Sequence, residues 1–342
     1  MIAAAVIASG ERWLATLAPA LDAADPERRV SGQSRLLCAG LGVLGAAAYR
    51  ALGGSTRADE VGRAGAMLSL LTKIDDQIID APDFHGGGER ATLPDRTRAY
   101  LAPTLASIRE ARAVEAHPRC ALAADLGRLL GDLAADAERL DRVLGTIAEG
   151  WEVQVEAVRV LTSAPSAVTR AEVAAVTRAI SGVWLLMIAR LGELPGDARR
   201  PFTPAEEADF LAFGWAIQRA DALADLAKDL ADGHLATWPG LLLWERDPAA
   251  YLDAARRRDA AALHALLVRH GVDRACLPDA AEERALAAAL PDLPEVRALL
   301  AFVHDYLSRR YLAHPLCARA DAATPPAEEA PLFPRSAACS AP

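Results

Sequence analysis

Aromatic residues are scarce in this chain of 342 residues: Phe, Trp and Tyr together make up only 5% of it. Aromatic and β-branched side chains favour strands, so the shortage counts against a sheet. Cysteine is sparse and scattered, at positions 38, 120, 276, 317 and 339, with no CxxC pair and no His–Cys cluster. That excludes a zinc-ligand spacing or a disulfide framework and leads us to expect reduced thiols in a cytoplasmic protein. Basic residues are outnumbered, 37 Lys and Arg against 46 Asp and Glu, for a net charge of −9. With no basic run interleaved with aromatics, nucleic acid is not an expected partner, and an acidic surface disfavours anionic lipid. No uncharged apolar run is long enough to span a bilayer. The opening MIAAAVIASGERW lacks a basic start and is cut by Glu11-Arg12, so no cleaved signal is expected.

What the chain has is Ala and Leu, which dominate an apolar share of 52% and rank high in helix propensity. The expectation is an all-α fold, a single helical bundle over residues 1–317, then a disordered Ala/Pro-rich tail over 318–342. Helices are predicted from Ile2 to Ala24, interrupted at Pro19, and from Ser34 to Leu52, stopped by Gly53-Gly54. Thr56 reads as the cap of the next helix, and Ala81-Pro82-Asp83 closes it. Phe84 to Gly88 reads as a loop, either a lid or a linker; it lacks the Lys-Ser/Thr pair of a P-loop and follows a helix. Further helices are predicted over Pro94–Val114 and Arg119–Leu161, the latter broken near Leu140 or Gly150. Thr169-Arg170-Ala171-Glu172 and Thr203-Pro204-Ala205-Glu206 both mark helix starts. Shorter helices are predicted over Pro248–Arg258, Ala260–His270, Ala280–Leu290 and Pro294–Tyr311.

Two acidic stretches carry the chemistry. In Gln218 to Gly233, QRADALADLAKDLADG, Asp221, Asp225 and Asp229 recur every four residues, with Asp232 close behind. Four residues overshoot one helical turn by about 40°, so these carboxylates share a stripe. Like charges at this spacing repel, and a chain that keeps them points to a cationic ligand. Asp76 and Asp80 repeat the spacing in Lys73-Ile74-Asp75-Asp76-Gln77-Ile78-Ile79-Asp80. Mg²⁺ takes oxygen ligands, commonly one or two carboxylates plus substrate phosphate oxygens. Two facing stripes would seat Mg²⁺ and a diphosphate, neutralising charge on a leaving group. A dry, apolar cavity at the bundle centre would then shelter the resulting carbocation from water. A pair of solvated, ion-paired helix faces is the plainer alternative.

With these residues in view, the chain resembles the squalene/phytoene synthase family, all-helical class I isoprenoid enzymes. Asp76-Gln77-Ile78-Ile79-Asp80 is similar to the family's DxxxD motif, with Lys73 where an Arg is common. Gln218, Asp221, Ala224-Asp225, Lys228-Asp229 and Gly233-His234 resemble its second pattern, roughly QxxNxxRDxxEDxxxGR. Ala148-Glu149-Gly150-Trp151 resembles its Ile-x-Gly-Met helix, and Val176–Gly182 its Tyr-Cys-x-x-Val-Ala-Gly segment. The resemblance covers about Thr56 to Gly240. It implies that Asp76, Asp80, Asp225 and Asp229 are catalytic and, with Asp221, hold Mg²⁺. It further implies that Gln218, Asp221, Lys73, Lys228 and His234 line the substrate site.

The departures bear on the reaction. Ala224 and Lys228 stand where the family has Arg and Glu, Val176 where it has Tyr, and Gln154 where it has Asp. Losing that Tyr and a basic group counts against joining two prenyl diphosphates head to head. The preferred reading is ionisation of one allylic prenyl diphosphate and transfer of its cation to a small, aromatic acceptor. A class I terpene cyclase, a surviving head-to-head condensation and a non-catalytic binding protein remain alternatives. His85 reads as a base or a solvated loop residue. Lys73 and Lys228 read as diphosphate contacts or as i,i+3 ion-pair partners of Asp76 and Asp225. Trp151 and Trp184 read as core, and Glu149, Glu152 and Glu156 as a solvated face.

Overall fold

A computed structural model describes residues 2–86 and 92–312. The expected tail, Gly87 and Gly88 of the expected loop, Cys317 and Cys339 lie outside the described residues. The fold is an all-α helical bundle with no strand among the described residues. Its helices are α1 (Ile2–Ala24), α2 (Gly32–Gly40), α3 (Gly42–Ala51), α4 (Ala58–Ile79), α5 (Pro82–Gly86), α6 (Leu93–Glu110), α7 (Pro118–Leu133) and α8 (Ala137–Leu161). They continue as α9 (Arg170–Arg190), α10 (Pro204–Asp232), α11 (Trp238–Arg246), α12 (Pro248–Arg257), α13 (Ala260–Arg269), α14 (Val272–Cys276), α15 (Ala280–Ala288) and α16 (Pro294–Leu312).

Helix α10 shows how local signals set the frame. Thr203 Oγ1 accepts from the Glu206 N–H at 3.2 Å while Glu206 Oε2 accepts from the Thr203 N–H at 2.7 Å, a reciprocal cap, with Pro204 opening the helix. The helix ends at Gly233, whose φ of +94° suits a residue without Cβ, and the His234 N–H returns to the Asp229 carbonyl at 2.8 Å. Between these ends Phe210, Phe213 and Ile217 enter the main core with α1–α4, α6–α9 and α16. Leu223, Leu226 and Leu230 enter a second core with α11–α14. The apolar face of α10 is thus consumed by two cores, which leaves its aspartate stripe to face elsewhere.

Helix α9 sits in the middle, packed on α8, α10 and α3. With the turn after it, Arg170–Glu193, it is long and apolar enough to cross a membrane by length and composition, and 56% of its 18-residue apolar window is buried inside the protein. Its approach to α10 depends on two glycines: a Cβ on Gly214 would stand 2.2 Å from the Gly182 nitrogen. Gly214→Ala is therefore expected to destabilise the fold by about 3 kcal/mol, read as a lower urea midpoint at unchanged slope.

Several predicted boundaries are corrected. Pro19 does not interrupt α1. The helix predicted from Ser34 starts at Gly32, capped by Ser31, and divides at Leu41 into α2 and α3. Thr56 does not cap α4: Arg57 occupies that place without a side-chain cap, and Thr56 Oγ1 instead donates to Asp197 at 3.2 Å. The break between α7 and α8 falls at Ala134–Asp136 rather than at Leu140 or Gly150. There the Ala135 N–H is drawn 2.9 Å from the Leu194 carbonyl, and Asp136 caps α8. Helix α6 ends at Glu110, short of Val114, and Pro82–Gly86 is a helical turn rather than loop. Helices α11 and α14 lie outside the predicted helices.

Candidate active site

The ends of α4 and α10 meet. His234, just past α10, places Nε2 3.5 Å from Asp80 Oδ1 at the last residue of the first stripe. His85, on α5 just past α4, reaches the other way: its Nδ1 lies 2.9 Å from the Asp232 carbonyl at the end of α10. The two imidazole centroids are 5.7 Å apart. Below this layer Gln154 of α8 donates to Asp76 Oδ1 at 3.0 Å, and Ser181 of α9 donates to Gln218 Oε1 of α10 at 2.6 Å. Every residue the sequence assigned to the site thus lies on α4 or α10 or just past the end of one of them.

The direction of α4 is set by the neighbouring aspartate. Asp75 is 3% exposed and pairs with Arg119 of α7, itself 5% exposed, at 2.9 Å. The Arg119 guanidinium also lies over the Tyr100 ring, 3.8 Å from its centroid. Burying this pair anchors one side of α4 in the protein, and Asp76 and Asp80 stand on the other. Sequence alone does not separate Asp75 from Asp76, because both are acidic and adjacent.

The charges divide into balanced and unbalanced groups. Asp76 meets Lys73 Nζ at 2.5 Å, the i,i+3 pair expected. Burial opposes its ionisation, yet Lys73 and Gln154 hold its carboxyl below the usual range. Lys228 pairs with Asp232 at 3.0 Å rather than with Asp225, the i,i+3 partner the spacing suggested. Asp225 is engaged by Arg310 of α16 at 2.6 Å, and Arg310 also lies 3.8 Å from Asp221. Asp80 and Asp229 have no Lys or Arg within ion-pair distance among the described residues.

Burial and then the Asp76 charge push Asp80 well above the usual carboxylate range. Burial and then the Asp225 charge do the same to Asp229, with Asp80 adding to it from the other stripe. Asp221 is pushed up to about 6 by burial and Asp225, with a further contribution from Asp76. Carboxylates of α4 and α10 therefore repel each other across shared space. His234, 6% exposed, is pulled down to about 4 by burial and by His85, which keeps it neutral at pH 7.

The unbalanced carboxylates set a pH dependence. A carboxyl whose folded pKa is raised adds stability below its unfolded pKa and loses that contribution as pH rises through the folded value. For Asp221 the window runs from 3.8 to about 6. His234, depressed from 6.5 to about 4, acts in the opposite sense, losing stability as pH falls. Asp221→Asn should isolate the first effect: variant and parent should differ little in melting temperature at pH 4, the variant becoming the more stable by pH 7.

Residues that the sequence reading did not assign also belong here. Arg310 lies 85 positions from Asp225 on a helix with no motif, and only the fold brings it in. Ser181 carries no sequence signal. Trp151 lies in the main core and Trp184 packs against it, as expected. Glu149 is exposed, Glu152 pairs with Arg98 and Glu156 with Arg159, so these acids form the solvated face. Val176 is buried in the second core. A cleft of about 340 Å³ between α1 and α2, lined by Leu14, Leu21, Arg28 and Arg35, includes none of the stripe residues, and the expected central cavity is not among the clefts described.

A scan against protein-family models finds no match for this chain, and a search of curated proteins finds none. Fold and site together define an all-α bundle in which two acidic helical stripes converge. Among the described residues no three His, Cys, Asp or Glu side chains stand ready as a metal-ligand set. The donors nonetheless fit Mg²⁺: they are hard carboxylate oxygens, two have no Lys or Arg within ion-pair distance among the described residues, and Mg²⁺ usually completes its shell with water and phosphate.

Proposed function

We propose that this chain is a Mg²⁺-dependent prenyltransferase of the isoprenoid-synthase type. Its substrate would be an allylic prenyl diphosphate, and its acceptor a carbon of a small aromatic molecule. The observation that carries the reading is the meeting of the two stripes: Asp80 and Asp229 have no Lys or Arg within ion-pair distance among the described residues, and the Asp80 charge helps raise Asp229. Carboxylates held this way are destabilised until a cation arrives, which suits a site that binds metal together with a diphosphate.

In this reading Asp76, Asp80, Asp221, Asp225 and Asp229 hold Mg²⁺, which when bound supplies Lewis-acid neutralisation of the charge growing on the leaving diphosphate. Lys73, Lys228 and Arg310 ring the same space and orient the diphosphate by charge-assisted hydrogen bonds. Arg310 stands in from α16 for the basic residue that the resemblance leads one to expect at Ala224. Gln154 and Ser181 fix Asp76 and Gln218. Transfer is favoured over head-to-head condensation because position 176 presents a buried valine in the second core and no phenol. The test is incubation with Mg²⁺ and C10, C15 and C20 allylic diphosphates, with and without aromatic acceptors. Diphosphate release and a C-prenylated mass are expected. Release without any acceptor adduct would favour a cyclase, and no release would remove the enzyme reading.

A further inference from the structure

His85 is unused by the binding scheme above, and its surroundings are specific. The Asp232 carbonyl, 2.9 Å from Nδ1, can only accept, so Nδ1 must carry the hydrogen. In the neutral ring the other nitrogen, Nε2, then bears a lone pair. That atom is buried and has no hydrogen-bond partner among the described residues, an arrangement that costs stability unless something fills it. A lone pair of this kind does not attract a phosphate oxygen; it attracts a proton. The ring is also well held: Arg96 donates to the Phe84 carbonyl at 2.6 Å and to the His85 carbonyl at 3.3 Å, pinning the short α5 turn. His85 thus sits at the end of α10, with its ring beside that of His234, whose own Nε2 faces Asp80.

We propose that His85 is the general base that removes the proton released when the prenyl cation is consumed. The inference rests on the prenyl-cation reading of the same site. The C1–O bond breaks and its electron pair leaves with the diphosphate. An acceptor π bond supplies the electrons of the new C–C bond at C1. The C–H bond at the attacked carbon then breaks, its electrons restore the π system, and its proton passes to His85 Nε2. Where the cation is instead quenched within the prenyl chain, the same nitrogen takes the proton whose loss forms the alkene. The Asp232 carbonyl fixes the tautomer that makes this possible, so it is a positioning group.

The test compares the parent chain with His85→Asn, whose side-chain amide can still donate to the Asp232 carbonyl but offers no basic nitrogen. Both are incubated with Mg²⁺ and geranyl, farnesyl or geranylgeranyl diphosphate, with and without indole and resorcinol as electron-rich probes. Diphosphate release and the ratio of proton-loss products (alkene or C-prenylated probe) to prenyl alcohol are measured together. Release by the variant is expected to stay within about twofold of the parent, while the product ratio falls about 10²-fold, the low end for general-base catalysis. An unchanged ratio with release intact would overturn the role of His85 alone, as would a parent that yields only alcohol. Absence of release from the parent would remove the underlying reading as well. A variant with release and product ratio reduced together would mark His85 as structural and also overturn the proposal.

Discussion

Asp80→Asn is expected to reduce diphosphate release from an allylic substrate by about 10²- to 10³-fold, the range for losing one well-placed electrostatic group at a reacting centre. Its far-UV circular dichroism should not change. The same substitution should raise the melting temperature of the metal-free protein at pH 7. Asp80 is partly buried, at 18% exposure, with neutral His234 beside it, and burial and then the Asp76 charge push its pKa upward. Removing a charge that the fold holds at a cost stabilises, and removing a metal ligand inactivates. A solvated, ion-paired helix face would give the opposite pattern: little change in activity and no gain in stability. Asp229→Asn should behave alike, since Asp229 is raised for the same reasons.

Arg310→Ala is expected to lower diphosphate release by about 10²-fold while tightening apparent Mg²⁺ affinity. The Arg310 guanidinium pairs with Asp225 at 2.6 Å and lies 3.8 Å from Asp221. It therefore stands where a divalent cation would compete with it. In the proposed reading, metal bound at Asp225 would release the guanidinium to donate to the diphosphate. Deleting it removes both a competitor and a donor, so affinity and rate should move in opposite directions. Arg310→Lys should restore part of the rate, because a lysine keeps the charge without the bidentate fork. The pair is 42% and 20% exposed, so its loss should leave stability nearly unchanged.

Much of this architecture can be read from local signals. The reciprocal caps at Thr169 and Thr203, the Gly233 stop and the four-residue aspartate spacing all depend on neighbours within a few positions, and all are present. The misjudged features depend on distant partners. The α7–α8 break has no Gly or Pro to announce it; it exists because the Leu194 carbonyl takes the Ala135 N–H. Thr56 looks like a cap but is drawn to Asp197, whose carboxylate also accepts from Tyr49 at 2.6 Å. Lys228 can choose between an i−3 and an i+4 acid, and the competition of Arg310 for Asp225 leaves it with Asp232. Asp75 and Asp76 look alike in sequence, and only Arg119 on α7 separates a structural anchor from a site residue.

The central claim is that carboxylates on two distant helices serve one ligand. Calorimetric titration of Mg²⁺ with inorganic diphosphate into the parent chain, Asp76→Asn, Asp225→Asn and the double variant tests it most directly. If the stripes share a pocket, each single variant loses at least about tenfold in affinity and the double variant loses far less than the product of the two. Full binding by either single variant, or strictly multiplicative losses, would mean that the two acidic stretches do not act on a common ligand.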